Sequence, residues 1–381
     1  EEQTFPYSEI KKIIDRLAIY IIPCVNRDGR KFSQAANALK NRWWRTNRHN
    51  LGTVCASGPS PAIGVDINRN FPPVWDLNEY YNPAGESTAS QATGTDACDN
   101  SYHAPFDPAT PGNIADIYEG YHKRATFHGN SMASENETKN VTELVQEKEI
   151  KFYIDIHGFA REIYYPWGFN TNQTNDKSKS FLNSTLDRSS GSGRPYNDPS
   201  YAEYFPKNGA YDLLTKHIHL ANQMKNAVFS AAGSDAHARN RMKYEVKQAI
   251  DLYPTPGASD DFVLSTQLSA NGNNASLNSK FPVHAFTMES GHESDGQFWP
   301  SMVPAKNQYR KVQREIHAVS LELLKYAANW TAPASSSGSA PSPGSGSGSP
   351  ETDGCFLLSF TLMATLSGAF AALIIFILRI I

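Results

Sequence analysis

The sequence has no excess of charge of one sign and few cysteines, and each scarcity limits what the protein can do. Its 381 residues include 35 Lys and Arg against 38 Asp and Glu, which gives a formal net charge of −3. This balance supplies no basic surface, so we expect no nucleic-acid partner. The 4 cysteines contain no C-x-x-C spacing, which leaves zinc-ribbon and thiol-redox functions without support. A composition with 40% hydrophobic residues indicates a globular protein.

Composition divides the chain into a folded domain at 1–330, a linker at 331–354 and a hydrophobic segment at 355–381. The linker is mostly Ser, Gly, Pro and Ala, and such a tract cannot bury a core, so we expect a disordered stalk. Residues 356–378 carry no charge and are long enough to cross a bilayer. A transmembrane helix and a lipid-anchor signal both fit, because small residues and a short polar spacer precede the apolar run.

Asparagine sequons and the apolar segment together predict an extracellular location. Six N-x-S/T triplets occur in the folded domain, at Asn136, Asn140, Asn172, Asn183, Asn274 and Asn329. A single triplet arises easily by chance, but six of them agree with the stalk and the hydrophobic segment. We therefore expect a glycoprotein that is secreted or held at the extracellular face of the cell membrane.

Apolar periodicity predicts strands that alternate with helices. Runs at 18–23, 151–157, 163–166 and 283–289 have the length of buried strands, whereas 8–17, 211–229 and 309–330 have helical spacing. This alternation predicts an α/β fold with a mixed, mostly parallel sheet covered by helices.

Two of these strands end on polar residues, His157 and Glu289, where open α/β sheets place ligand sites. His157 alone also fits a structural role, but a carboxylate that follows an apolar strand needs a buried partner. The two residues together indicate a metal ligand and a general base.

Several segments, in the same order, resemble the motifs of zinc carboxypeptidases of the A/B type. The segment around His157 resembles the third zinc ligand of that family, and GVDINRNF at 64–71 resembles its carboxylate-binding Asn-Arg motif. NRWWR at 41–45 resembles the segment with the oxyanion-stabilising Arg, and FTME at 286–289 resembles the strand with the catalytic Glu. The resemblance spans about residues 11–328 and implies the zinc carboxypeptidase fold with its N-terminal strands missing.

The resemblance also implies a function and a set of site residues. It implies a zinc-dependent enzyme that releases single C-terminal residues from peptides and proteins, by attack of a water with a Glu as general base. The implied roles are catalysis for Glu289 and Arg45, zinc binding for His157, and substrate binding for Asn68, Arg69, Tyr253, Asp260 and Arg42. Cys55 and Cys98 flank the Asn-Arg motif as a disulfide pair does in the family.

The same resemblance suggests a preference for substrates that end in Lys or Arg. Residues 253–262 resemble the mobile Tyr of the family and the loop that forms its side-chain pocket. By that spacing Asp260 falls at the pocket floor, where an acid in the family accompanies basic C-terminal residues. The neighbouring Asp261 is the alternative floor residue.

One motif of the family is absent from this sequence. The first two zinc ligands of the family lie on an H-x-x-E motif, and none of the 11 His here has Glu three residues later. A catalytic zinc normally takes three protein ligands and a water, so His157 alone does not suffice. Two hypotheses remain: an incomplete sequence of a working enzyme, or a catalytically inactive cell-surface protein that binds peptide C-termini.

Overall fold

The structure is a computed structural model. It describes residues 7–34, 44–54, 61–82, 98, 126–158, 160–191, 193–195, 201–208, 211–232, 243–277, 282–291, 306–330 and 374–380.

Helices and strands alternate along the described chain. The helices are α1 (Tyr7–Arg16), α2 (Arg27–Gln34), α3 (Leu77–Tyr80), α4 (Asn136–Glu147), α5 (Leu213–Ala231), α6 (Ser259–Ser265) and α7 (Lys306–Asn329). The strands are β1 (Leu17–Ile22), β2 (Asn50–Val54), β3 (Pro61–Ile63), β4 (Tyr81–Asn82), β5 (Phe152–His157), β6 (Glu162–Tyr165), β7 (Gln173–Thr174), β8 (Arg194–Pro195), β9 (Glu203–Tyr204), β10 (Lys207–Asn208), β11 (Tyr211–Asp212), β12 (Glu245–Gln248), β13 (Leu268–Asn271), β14 (Asn274–Leu277), β15 (His284–Glu289) and β16 (Ile374–Ile380).

Six of these strands form the central sheet, in the order β1-β16-β5-β15-β6-β12. Strands β5 and β15 are parallel, as are β6 and β12, whereas β15 and β6 are antiparallel. Two of the three pairings among these four strands are therefore parallel. The predicted α/β class with a mixed, mostly parallel sheet and covering helices is confirmed.

Strand β5 shows how both faces of the sheet are covered. Its first five residues are buried, because alternate side chains enter two different hydrophobic clusters. Phe152 and Ile154 pack in one cluster with residues of α5 and α7. Tyr153 belongs to the other cluster, which includes Phe262 and Val263 of α6. The side chain of His157 therefore leaves the end of β5 on the face that α6 covers.

Part of the C-terminal apolar run, Ile374–Ile380, forms strand β16 of the central sheet. Strand β16 pairs antiparallel with β1 on one side and with β5 on the other. The sequence predicts a lipid-anchor signal or a transmembrane helix in this run, and N-terminal strands that are missing from the sheet. The structure places β16 between β1 and β5 and pairs its backbone with both strands.

The remaining predictions for the C-terminal part concern residues that the structure does not describe. The predicted stalk at 331–354 and residues 355–373 lie outside the described residues, and the membrane assignments stay predictions. Within the described part of the chain, no helix combines the length and the apolar character that a bilayer crossing requires.

Candidate active site

The carboxyl ends of β5 and β15 bring a histidine and a glutamate together. His157 and Glu289 are register partners in this parallel pair, and His157 Nδ1 lies 3.9 Å from Glu289 Oε1. The other ring nitrogen, Nε2, lies 2.9 Å from Asp155 Oδ2. Donation from Nε2 to Asp155 leaves the lone pair on Nδ1, the nitrogen that faces Glu289.

Burial and charge shift the pKa values of both residues. Burial raises the pKa of the Glu289 carboxyl above its ordinary value of 4.5, although the charges of His157 and Arg45 oppose this shift. Burial disfavours the charged His157 ring, but the carboxylates of Asp155 and Glu289 outweigh burial and raise the pKa of the ring. Glu289 Oε2 is buried without a hydrogen-bond partner among the described residues. Such a carboxylate is suited to accept a proton.

A short 3₁₀ helix, Ile67–Arg69, presents Asn68 beside the His157 ring. Asp66 precedes the turn, and its side chain accepts a hydrogen bond of 3.2 Å from the Asn68 N–H. Asn68 Nδ2 lies 3.2 Å from His157 Nε2, and Asn68 Oδ1 accepts a hydrogen bond of 2.8 Å from Ser259 N. The amide of Asn68 therefore lies against the end of β5 and is hydrogen-bonded to the start of α6.

Arg69 is buried and has no anionic partner within the described part of the chain. Its exposed fraction is 3%, and its Nε atom is buried without a hydrogen-bond partner among the described residues. Nη1 donates to Asn68 O at 2.5 Å and Nη2 donates to the Tyr253 hydroxyl at 2.8 Å. Both acceptors are neutral, and no ion pair joins Arg69 to a carboxylate of the described residues, although the charge of Arg69 opposes the rise in the pKa of Asp261. Because a buried cation is costly without an anion, this position is suited to a carboxylate from a ligand.

Gly257 lets the loop that carries Tyr253 approach Arg69. Its φ is +70°, and a Cβ at this position would lie 2.2 Å from Arg69 O. Both the positive φ and the short contact require glycine. The approach is fixed by a hydrogen bond of 3.0 Å from Phe71 N to Gly257 O, and the Tyr253 ring centre lies 5.4 Å from Arg69 Cζ.

Arg45 is held near the His157–Glu289 pair by an ion pair. Its Nε atom donates to Asp66 Oδ2 at 2.7 Å, and Asn26 Nδ2 donates to Arg45 O at 2.9 Å. The charge of Arg45 acts on the pKa of both His157 and Glu289. A cation whose charge acts on both residues can stabilise negative charge that develops there.

Three buried carboxylates lie on the same face of the sheet, in Asp155 of β5 and in Asp260 and Asp261 of α6. Asp261 accepts hydrogen bonds from Gly168 N with its two oxygens, at 3.1 and 3.0 Å. Asp260 Oδ2 has no partner among the described residues. Burial, and next to it the charge of Asp155, raises the pKa of Asp260. The sequence leaves open which of the two residues forms the pocket floor. Asp260 has an oxygen without a hydrogen-bond partner among the described residues, whereas both oxygens of Asp261 accept hydrogen bonds.

The structure gathers most of the predicted site residues in one region. These are His157, Glu289, Asn68, Arg69, Arg45, Tyr253 and Asp260. Arg42 and Cys55 lie outside the described residues, so the approach-path contact and the Cys55–Cys98 pairing stay predictions. Cys98 is disulfide-bonded, whereas Cys24 is a free thiol.

Sequence reasoning missed Asp155, Asp66 and Ser259. The Ser259 hydroxyl donates to Asp155 Oδ2 at 2.7 Å, so these two residues connect α6 to β5. Asp155 lies inside an otherwise apolar strand, and this pattern is a usable signal, because a carboxylate there needs buried partners. Asp66 and Ser259 lie at turns, where polar residues are ordinary, and the sequence carries no comparable signal for them.

The fold and this arrangement place a buried histidine–glutamate pair near a buried arginine. A family model described as zinc carboxypeptidase matches residues 6–316. The chain belongs to the zinc carboxypeptidase family. Membership in this family implies zinc as the cofactor.

Curated relatives include carboxypeptidases of both the A and B types. Human mast cell carboxypeptidase A is 31% identical over 163 residues, which cover 42% of this chain and 27% of that protein. Human carboxypeptidase B is 25% identical over 165 residues, which cover 42% of this chain and 28% of that protein. The match thus spans less than a third of the length of these relatives.

Two solved structures are similar to this chain over most of its length. Carboxypeptidase A from Helicoverpa armigera has a TM-score of 0.46 at 17% identity, covering 81% of this chain and 51% of that chain. Bovine thrombin-activatable fibrinolysis inhibitor, in complex with tick carboxypeptidase inhibitor, has a TM-score of 0.44 at 17% identity, covering 80% of this chain and 67% of that chain.

The described residues fit zinc only in part. His157 offers Nδ1 as one ligand nitrogen, because its Nε2 is held by Asp155. Among the described residues, no group of three or more His, Cys, Asp or Glu side chains is placed to hold a metal ion. Because a catalytic zinc takes three protein ligands, these residues do not form a complete zinc site.

Proposed function

We propose that this protein is a zinc-dependent metallocarboxypeptidase that releases single C-terminal residues from peptides and proteins. The observation that carries the proposal is Arg69, a buried guanidinium with no anionic partner among the described residues. Its planar fork matches a C-terminal carboxylate. Asn68 touches the His157 ring, so a substrate held by Arg69 has its last peptide bond near His157 and Glu289.

In the proposed reaction, the chain supplies positioning and proton transfer. Glu289 accepts a proton from the attacking water and passes it to the leaving amine. Arg45 stabilises the negative charge that develops on the carbonyl oxygen. Zinc, when bound, supplies polarisation of the carbonyl and activation of the water, and His157 is the ligand that the described residues offer.

Asp260 supports a preference for Lys or Arg as the released residue. Its side chain is 1% exposed, and its Oδ2 atom is buried without a hydrogen-bond partner in the described part of the chain. A basic side chain that enters the pocket brings a positive charge and a donor for Oδ2, the one oxygen of this carboxylate without a partner there. Replacement of Asp260 by Ile removes the carboxylate, so the preference then passes to apolar C-terminal residues.

The same pocket supports a second candidate function from another class, which is binding of peptide C-termini without hydrolysis. The observation that favours it is the direct hydrogen bond between Arg69 and Tyr253, which holds the carboxylate-binding group by protein contacts alone. A cell-surface receptor for peptide C-termini needs only this part of the site. An enzyme releases the bound C-terminal residue, whereas a binding protein leaves the peptide intact.

The test is release of a C-terminal arginine by the native protein purified from its own cells. We expect mass spectrometry to show loss of one arginine from a peptide with a free C-terminus, and a zinc chelator to abolish the loss because the water is then not activated. Zinc added back restores release. Peptide that binds but stays intact with zinc present would favour the binding function instead.

We also propose that the protein is a glycoprotein that is secreted or held at the extracellular face of the cell membrane. The burial of the described sequons predicts which of them carry glycans. Asn136 and Asn140 are exposed on α4, so we expect glycans on both. Asn183 is 6% exposed, and its Nδ2 donates to Ser178 O at 2.8 Å, which leaves no room for a sugar. Glycopeptide mapping of the secreted protein checks this. Occupied Asn183 with bare Asn136 and Asn140 would contradict it.

A further inference from the structure

A carboxylate lies on the buried face of helix α7, among apolar side chains. Glu315 is 0% exposed. Val312, three residues before it, and Val319, four residues after it, belong to the hydrophobic cluster that packs on the sheet with α5 and α7. A charged group in such a place is costly unless donors surround it, so the contacts of Glu315 have to offset its burial.

Two donors meet at one oxygen of this carboxylate. Glu315 Oε2 accepts a hydrogen bond of 2.7 Å from the Tyr244 hydroxyl and one of 3.0 Å from Gly291 N. Gly291 N also lies 3.2 Å from the Tyr244 oxygen, so the three groups contact one another. Burial, and next to it the charge of Glu315, holds the pKa of the Tyr244 hydroxyl well above its ordinary value, so this hydroxyl stays a donor. The backbone of Gly291 is therefore bound to α7 through a buried carboxylate.

Gly291 follows Glu289 by two residues, and the residue between them is bound as well. Ser290 N and Ser290 Oγ both donate to His157 O, at 2.8 and 2.7 Å. The chain that follows β15 is thus held to β5 by Ser290 and to α7 by Gly291, whose φ of +73° favours glycine. Because Glu289 is the last residue of β15, these contacts fix the backbone from which its side chain projects.

We propose that Glu315 is a positioning residue for Glu289, because it holds the chain after β15 so that the Glu289 carboxylate stays directed at the attacking water. This inference rests on the proposed function, since it concerns the general base of that reaction. The Glu289 side chain projects on the same sheet face as its register partner His157, whereas Glu315 comes from α7 on the opposite face. Glu315 therefore acts through the backbone. A displacement of about 1 Å in a catalytic group can cost about 10²-fold in rate.

Two substitutions of Glu315 separate its hydrogen bonds from its bulk. In Glu315→Gln the amide oxygen still accepts from Tyr244 and Gly291, so we expect kcat to stay within about threefold of the unaltered protein. Glu315→Leu has a similar size but offers no acceptor, so we expect kcat to fall by about 10- to 100-fold. The Kd of the peptide should change little in both variants, because neither touches Asn68 or Arg69.

The experiment measures kcat and peptide Kd for the full chain with zinc, in Glu315→Leu, in Glu289→Gln and in the double variant. If Glu315 acts through Glu289, its loss has nothing left to displace once the base is gone. The kcat of the double variant should then equal that of Glu289→Gln within about twofold. A merely structural role would multiply the two losses instead.

Val319→Ala is the matched control, because it removes buried volume from the same face of α7, one turn from Glu315. It should lower the Tm of the protein and leave kcat unchanged, since Val319 does not hold the chain after β15. A fall in kcat of the same size as in Glu315→Leu would show that any loosening of α7 slows the reaction, and would overturn the role of Glu315.

The other outcomes bear on separate claims. Release of arginine by the unaltered protein, with an equal kcat in Glu315→Leu, would overturn the role of Glu315 and leave the proposed function standing. Losses that multiply in the double variant, or an equal loss in Glu315→Gln and Glu315→Leu, would overturn that role as well. No release by the unaltered protein would remove the proposed function and this role with it.

Tyr244→Phe keeps the proposal testable where Glu315→Leu does not fold. It removes one of the two donors to Glu315 and keeps the aromatic ring in the hydrophobic cluster. We expect kcat to fall by about threefold, and only while Glu289 is present. An unchanged kcat in Tyr244→Phe would contradict the proposal.

Discussion

Replacement of Glu289 by Gln is expected to reduce turnover of a C-terminal arginine by about 10²–10⁴-fold while peptide binding persists, because general-base catalysis contributes about that much. Glutamine has nearly the same shape as glutamate but cannot accept the proton of the attacking water. The contacts of Glu289 favour this separation, since its Oε2 is buried with no partner among the described residues. The measurement is kcat of the full-length protein, with the Kd of the peptide determined in parallel.

The matched control for this change is Glu143→Gln, which alters a carboxylate on α4, away from the site. Neither kcat nor Kd should change in the control. Near-normal kcat in Glu289→Gln would remove Glu289 from the chemistry. A large rise in Kd would instead show that the carboxylate serves substrate binding.

Replacement of Arg69 by Ala is expected to abolish discrimination between a peptide with a free C-terminus and the same peptide with a C-terminal amide. Arg69 is the buried cation of the site, and its removal leaves the substrate carboxylate without a charge partner. Loss of one partner of a buried charge pair costs about 2–5 kcal/mol, so the Kd of the free acid should rise by about 30-fold or more. The Kd of the amide should change little. Calorimetry of both peptides gives the ratio directly.

Two further variants make the Arg69 result specific. Arg69→Lys keeps the charge but loses the planar fork, so we expect an intermediate ratio. Arg188→Ala removes a cation from a loop away from the site and should leave the ratio as it is in the unaltered protein. Strong preference for the free acid in Arg69→Ala would place the carboxylate somewhere else.

The strands that position the active site could be predicted from the sequence, because local signals define them. Strands β5 and β15 are apolar runs that end on His157 and Glu289, and their short length is typical of buried strands. The Asn68–Arg69 turn could be placed from its motif. The motif indicates that Asn68 and Arg69 belong to the site, and the structure adds the hydrogen bonds that hold their side chains.

Other features depend on contacts between distant parts of the chain, and the sequence could not predict them. The pairing of β16 with β1 and β5 joins segments that are far apart in the sequence, and no local pattern specifies it. The choice between Asp260 and Asp261 as the floor residue of the pocket depends on which of the two carboxylates accepts hydrogen bonds from the Gly168 N–H. The ion pair of Arg45 with Asp66 also appears only once both loops are folded.

The central claim is that this site acts on the free C-terminus of a peptide, and one comparison tests it most directly. A peptide that ends in arginine is incubated with the native protein and zinc, once as the free acid and once as the amide, and the products are weighed by mass spectrometry. The account predicts release of a single arginine from the free acid and none from the amide, because only the free acid offers Arg69 a carboxylate. Equal release from both peptides, or cleavage at internal bonds only, would contradict it.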